Sequence, residues 1–263
     1  MRLKSLKLFN FRNYSELSLD LSFGINIFIG DNGVGKTNIL EAIYVLSLTK
    51  SNRYGTINDL IKHDSFSAKI NCLVDYDGYT KEYEIMLSDQ VKKVYINKQE
   101  IKKIANYISN FCVTTFMPND IDIIRGTPSI RRNLLNIQIG QLYNNDLKYV
   151  NEYNSLLKIR NDYLKRLNIN GNTDLRYLDI INQKMVEVSL KIYYFRYFYL
   201  EEINKIISQV YKKIANISNL KIEYANSLNL ESYDENLIKD KLISRYKKNL
   251  SKEIMQGMTL TGV

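Results

Sequence analysis

Alternation of apolar and polar residues dominates the first hundred positions. Leu6, Leu8 and Phe11, then Leu17, Leu19 and Leu21, predict two strands joined across Asn10-Phe11-Arg12-Asn13-Tyr14. Ile25-Asn26-Ile27-Phe28-Ile29 alternates again and predicts a short buried strand. From Thr37 the period changes. Apolar residues at 39, 40, 43 and 46 follow the i, i+3, i+4, i+7 spacing of a helix. Strand character returns over 66–97, in Ala68–Val74 and Tyr83–Leu87, with Asp75-Tyr76-Asp77-Gly78 as a hairpin turn between them. A short strand, Val94–Ile96, ends at a turn in Asn97-Lys98. Phe111–Phe116 predicts another buried strand, stopped by Pro118. Asn119 or Asp120 is placed to cap a short helix ending near Gly126, and Pro128 opens the next helix.

From 129 to about 215 the pattern is helical throughout. Leu156, Leu157, Tyr163, Leu164 and Leu167 repeat at helical spacing, and Asn168-Ile169-Asn170-Gly171-Asn172 predicts an αα-hairpin turn. A second long helix then starts near 174 and runs through Ile181, Met185, Val188, Leu190 and Ile192. Two such helices joined by a short loop predict an antiparallel arm projecting from a mixed α/β body. Within the second, Tyr193-Tyr194-Phe195-Arg196-Tyr197-Phe198-Tyr199 fits either a wide apolar face packed on its partner or a platform for stacking bases. Residues 219–226 predict a strand, 233–252 a basic helix, and Met258-Thr259-Leu260-Thr261 a last strand.

Between the third predicted strand and the first helix lies Gly30-Asp31-Asn32-Gly33-Val34-Gly35-Lys36-Thr37, which matches G-x-x-x-x-G-K-[ST] at every fixed position. The glycines let backbone amides curl round phosphate oxygens, because no Cβ blocks the approach. The helix N-terminus adds partial positive charge. Lys36 would reach the β- and γ-phosphates, the Thr37 hydroxyl would ligate Mg²⁺, and Asn38 is placed near the α-phosphate. The competing explanation is a chance match in a glycine-bearing loop.

Composition narrows the rest. Hydrophobic content of 45% and charged content of 25% are ordinary for a globular protein. No apolar run has the length of a membrane span and no signal peptide is recognisable at the start, so a cytoplasmic location is expected. Cys72, Cys112 and a single histidine, His63, cannot build a recognisable zinc site; reduced buried thiols and a surface histidine are expected. The net charge of +9, from 37 Lys+Arg against 28 Asp+Glu, is compatible with nucleic acid. Biased codon usage, visible in the joint richness in Lys, Asn, Ile and Tyr, would give the same excess.

Taken together, Leu6–Tyr14 and Gly30–Ile43 resemble the start of the RecF family of bacterial DNA replication and repair proteins. Phe116–Asn136 is similar to the family run F-x-P-x-D-L-x-L-V-x-G-x-P-x-x-R-R-x-F-L-D, and Tyr149, Tyr153, Arg160-Asn161 and Gly257–Gly262 fall at comparable places. The resemblance implies an α/β P-loop NTPase of the ABC-ATPase head type, a mixed sheet with helices carrying an inserted helical arm. Residues 1–128 would form the head lobe, 129–218 the arm (lobe II), and 219–263 a return to the head. It implies ATP and Mg²⁺ as cofactors and ATP-dependent homodimerisation. It also implies binding to single-stranded DNA and single-strand/double-strand junctions, recombinase loading with the mediators RecR and RecO, and support of the SOS response. Carried over residue by residue, Gly30 to Thr37 is the nucleotide loop, Arg12 and Asn13 touch nucleotide, and Gln141 is the candidate Q-loop glutamine toward Mg²⁺. Arg131 and Arg132 are candidate DNA-phosphate contacts or, equally, a solvated helix turn.

Asp31 stands where an uncharged residue is frequent in the family, and Val263 where proline is usual. The family's His-Arg-Asp-Asp run, ABC signature and Walker B strand are not found in these 263 residues, so the chain reads as an N-terminal portion that would not hydrolyse ATP alone. The rival readings are an SMC/Rad50-type or transporter ATPase head, and a non-hydrolysing DNA-binding scaffold.

Overall fold

A computed structural model of the chain describes residues 1–53, 55–89, 91–143, 146–170, 175–216 and 219–263. It divides into two compact units, Met1–Thr127 and Pro128–Val263.

The first unit is built on a six-stranded antiparallel sheet. Its strands are β1 (Arg2–Phe11), β2 (Tyr14–Asp20), β3 (Ser67–Asp75), β4 (Thr80–Ser88), β5 (Val91–Ile96) and β6 (Gln99–Glu100), in the order β2-β1-β3-β4-β5-β6. Alternation fixes which face is dry: Leu6 and Leu8 of β1, Ile70, Cys72 and Val74 of β3, and Tyr83, Ile85 and Leu87 of β4 are buried. Against that face packs α1 (Lys36–Leu48), through Ile39, Ala42, Val45 and Leu46. Each such burial contributes about 1.5–3 kcal/mol for a large side chain. The turns are those the sequence predicts. Asp77 and Gly78 (φ 40° and 120°) reverse β3 into β4, and Asn97 and Lys98 (φ 50° and 66°) reverse β5 into β6, both pairs in the left-handed region that tight hairpins require. Both cysteines are free, Cys72 buried as expected and Cys112 partly so; burial pushes the Cys72 thiol up to about 12 and raises that of Cys112.

Two predicted strands of this unit are not strands. Residues 25–29 and 111–116 belong to no ladder among the described residues, and Ile25, Ile27 and Ile29 are 88%, 76% and 90% exposed. Their alternation records β-forming side chains, but a strand also needs a neighbour to take its N–H and C=O groups. Downstream, α2 (Ala105–Ile108) is a single turn. A 3₁₀ turn at Pro118–Ile121 leads into α3 (Asp122–Arg125), which stops at Gly126 as predicted. The Asp120 carboxylate accepts from the Met117 amide at 2.7 Å, so it fastens the 3₁₀ turn and does not cap α3.

The second unit is helical. It comprises α4 (Pro128–Leu142), α5 (Asp146–Asn170), α6 (Arg176–Ala215) and α7 (Glu235–Gln256). Of the predicted αα-hairpin turn, 168–170 continue α5, while Gly171 and Asn172 lie outside the described residues. Residues 219–263, expected to return to the head, pack here, with α7 against both α5 and α6. The aromatic tract divides by helical phase. Tyr193 and Tyr197 are buried beneath Leu228, Leu230 and Ile238, whereas Tyr194 and Phe198 are partly exposed and lie against Tyr233.

The predicted strands at 219–226 and 258–261 join no ladder among the described residues, and the reason is visible. Side chains satisfy their backbone. The Asn204 amide donates to Ile222 O at 2.8 Å and accepts from Ile222 N at 2.9 Å, and the Ser208 hydroxyl donates to Leu220 O at 2.7 Å. Likewise Asn161 accepts from Thr259 N at 2.8 Å and Glu253 from Leu260 N at 2.7 Å. At the other end of α7, Asp234 caps the helix by accepting from Leu237 N at 2.9 Å. Asp234→Ala is expected to cost about 1 kcal/mol in urea denaturation, with Asp234→Asn close to the parent.

Candidate functional site

The loop from Gly30 to Gly35 leads directly into α1, whose N-cap is Gly35. Gly33 (φ 88°) and Gly35 (φ 106°) occupy backbone conformations that L side chains avoid. At Gly35 a second requirement is added: a Cβ there would lie 2.7 Å from both Asn13 Oδ1 and Tyr14 Oη. No side chain caps α1, and the Asn38 amide donates to Gly35 O at 2.8 Å, which leaves the Lys36 and Thr37 amides to whatever occupies the loop. Lys36 bends back over the loop, its Nζ donating to Gly30 O and Asp31 O, each at 2.7 Å. The ammonium is thereby held above the loop, where a phosphate would sit. Thr37 is exposed at the helix start.

The turn between β1 and β2 grips this loop from one side. Asn13 Nδ2 donates to Val34 O at 3.1 Å, and Asn13 Oδ1 accepts from Asn38 Nδ2 at 2.9 Å, so one side chain ties the loop to the first turn of α1. Arg12 sits at φ 54°, a strained position for a residue with a Cβ. Its surroundings hold it there. The amide donates to Leu60 O at 2.9 Å, Nη1 donates to Asp59 O at 2.6 Å, and Nε and Nη2 reach the Glu41 carboxylate at 3.0 and 2.6 Å. Hydrogen bonds from the Thr56 amide and hydroxyl, with Arg12 nearby, hold the Asp59 carboxyl below the usual carboxylate range. An open cleft of about 1050 Å³ borders these groups; Arg12, Asn13, Asn38, Arg53, Asp59 and His63 are among its lining.

The other predicted site residues lie in the second unit. Arg131 and Arg132 are exposed near the start of α4. Gln141 is buried in the last turn of the same helix, in a helical rather than a loop setting. Among the described residues no group of three or more His, Cys, Asp or Glu could hold a metal, and His63 is on the surface beside Asp64. Glu41, which binds Arg12, and Arg53, which lines the cleft, are neighbours of the loop that motif reading does not single out.

The family model described as "RecF/RecN/SMC N terminal domain" matches residues 2–252. The chain is 34% identical over 263 residues to the DNA replication and repair protein RecF of Listeria welshimeri, covering all of this chain and 71% of that protein. The chain belongs to the RecF family. RecF of Staphylococcus epidermidis is 35% identical over 268 residues, with 100% and 71% covered. Two solved structures of the recombination mediator protein RecF in the RecFOR pathway, one with ATPrS and one with ATP, superpose with a TM-score of 0.92 at 32% identity. They cover 99% of this chain, and the chain covers 71% and 70% of theirs. The fold is therefore that of the RecF/SMC-type ABC ATPase head, as the resemblance implies. No helix among the described residues is long and apolar enough to cross a membrane.

Proposed function

We propose that this chain binds ATP with Mg²⁺ at Gly30–Thr37 and works in DNA repair and recombination. The observation that carries the reading is the loop itself: glycines at positive φ, an uncapped helix start, and the Lys36 ammonium held 2.7 Å from two loop carbonyls. An arriving triphosphate competes for Lys36 with those carbonyls and takes charge-assisted hydrogen bonds from the freed ammonium. The α1 amides hold the β-phosphate end, and Asn13 and Arg12 keep the loop and the cleft mouth in place. Thr37 would supply a hydroxyl to Mg²⁺ bound with the triphosphate.

The wider role follows the relatives. The chain joins DNA at single-strand/double-strand junctions through ATP-dependent homodimerisation, and acts with RecO and RecR to load recombinase and support the SOS response. Exposed Arg131 and Arg132, on a chain of net charge +9, support a phosphate contact at the start of α4. Gln141, buried in the last turn of α4, is the candidate glutamine toward the metal ion and the γ-phosphate.

Binding of a labelled gapped duplex with and without Mg–ATP tests the wider role. Tighter binding with nucleotide, weakened by Arg131→Ala/Arg132→Ala and steeply salt-dependent, is expected. Affinity indifferent to nucleotide would favour the non-hydrolysing scaffold.

A further inference from the structure

Glu41 is the sole acid of α1, and it is fully buried. Its position on the inner surface follows from spacing, since Val45 and Leu48, four and seven residues on, are buried beside it. A carboxylate there costs several kcal/mol of desolvation unless donors surround it, and an apolar residue would serve α1 packing better. The donors are specific. Arg12 Nε and Nη2 bind the two oxygens at 3.0 and 2.6 Å, the Ser51 hydroxyl donates to Oε1, and Arg53 Nη1 approaches Oε2 at 3.4 Å. One negative charge therefore faces two guanidiniums. The two arginines differ in freedom. Arg12 is further fixed by Asp59 O, whereas Arg53 is 47% exposed, and its Nη1 also lies 3.0 Å from Asn38 Oδ1, one residue beyond Thr37.

We propose that Glu41 is a positioning residue of the nucleotide site, which holds Arg12 and Arg53 in the cleft they share with Asn13 and Asn38 so that their guanidiniums face the bound nucleotide. The proposal rests on the ATP-binding reading above. Two observations converge on it: the buried acid has no packing reason to be ionic, and both cations line the same cleft. Arg53 is thereby assigned to the nucleotide side of the site. Through its bond to Asn38 it connects the buried acid to the start of α1 without touching the loop glycines.

The test measures affinity for a fluorescent ATP analogue with Mg²⁺ for the parent, E41Q, E41D, R53Q and the E41Q/R53Q double variant, each shown folded by circular dichroism at the assay temperature. E41Q is expected to weaken binding about tenfold, the scale of one charge-assisted hydrogen bond, and E41D to recover part of the loss. R53Q weakens binding as well. The E41Q effect shrinks in the R53Q background, because the acid acts partly through that arginine. A merely structural Glu41 would shift the unfolding midpoint and leave the affinity of the folded protein unchanged. Folded E41Q and R53Q at parental affinity overturn the proposal while leaving ATP binding intact. If E41Q does not fold, R53Q decides alone, since its half-exposed side chain is replaceable, and parental affinity there overturns the proposal. A parent chain that binds no analogue overturns the underlying phosphate-site reading instead.

Discussion

Gly35→Ala is expected to remove nucleotide binding, lowering affinity by at least tenfold, in a protein that still shows its antiparallel sheet and helices by circular dichroism. Two independent costs coincide at this position. The backbone is at φ 106°, where a Cβ costs on the order of 1–3 kcal/mol. The same Cβ would press within 2.7 Å of Asn13 Oδ1 and Tyr14 Oη, the groups beside Val34 that strap the loop. Relief requires Asn13 to swing away, which releases Val34 O and Asn38 Nδ2 together and lets the loop open. Gly24 is the control. It too has positive φ (86°), but a Cβ there meets nothing within 4 Å, so Gly24→Ala pays backbone strain without disturbing the cradle and keeps most of the affinity.

The second large effect lies in the helical unit and concerns stability. Arg160→Met is expected to destabilise that unit by about 3–5 kcal/mol in urea denaturation, the range for stripping one partner from a buried ion pair. Arg160 and Glu253 are both completely buried, with Nη2 to Oε2 at 2.6 Å. Arg160 also donates to Asn182 at 2.7 Å and Thr259 at 2.8 Å, and its guanidinium lies 4.7 Å from the centre of the Tyr246 ring. One side chain thus joins α5, α6, α7 and the segment after α7. Without it, the buried Glu253 charge is left unpaired, with the Leu260 amide still donating to it. Adding Glu253→Leu should recover part of the loss, a non-additivity that identifies the cause as the stranded charge. A cost below 1 kcal/mol for Arg160→Met would contradict this.

Those two sites differ in how far they can be read from residues alone. The phosphate loop is legible because its chemistry is local: glycines, lysine and threonine at fixed spacing need only a helix start after them, and α1 begins at Lys36. The antiparallel sheet is legible for the same kind of reason, since alternation in β1, β3 and β4 reports one buried face and Asp77-Gly78 reports its own turn. Residues 25–29, 111–116, 219–226 and 258–261 are misread because pairing is not local. The last two have their backbone groups taken by Asn204, Ser208, Asn161 and Glu253, from helices as far as 98 positions away. Arg160 has no spacing that separates it from a solvated helix arginine. Glu41 carried a faint signal, an acid in phase with Val45 and Leu48, but Ser51 and Arg53 sit in a connecting stretch whose partners only the fold reveals.

The central claim is that backbone amides and the Lys36 ammonium at the start of α1 hold a triphosphate. Calorimetric titration of Mg–ATP into the chain and into Lys36→Ala tests it most directly. The account predicts magnesium-dependent, one-to-one binding to the parent and a loss of roughly tenfold to a hundredfold when the ammonium is removed, the worth of one or two charge-assisted hydrogen bonds. Equal affinity in the two proteins, or no heat of binding to the folded parent, would contradict it.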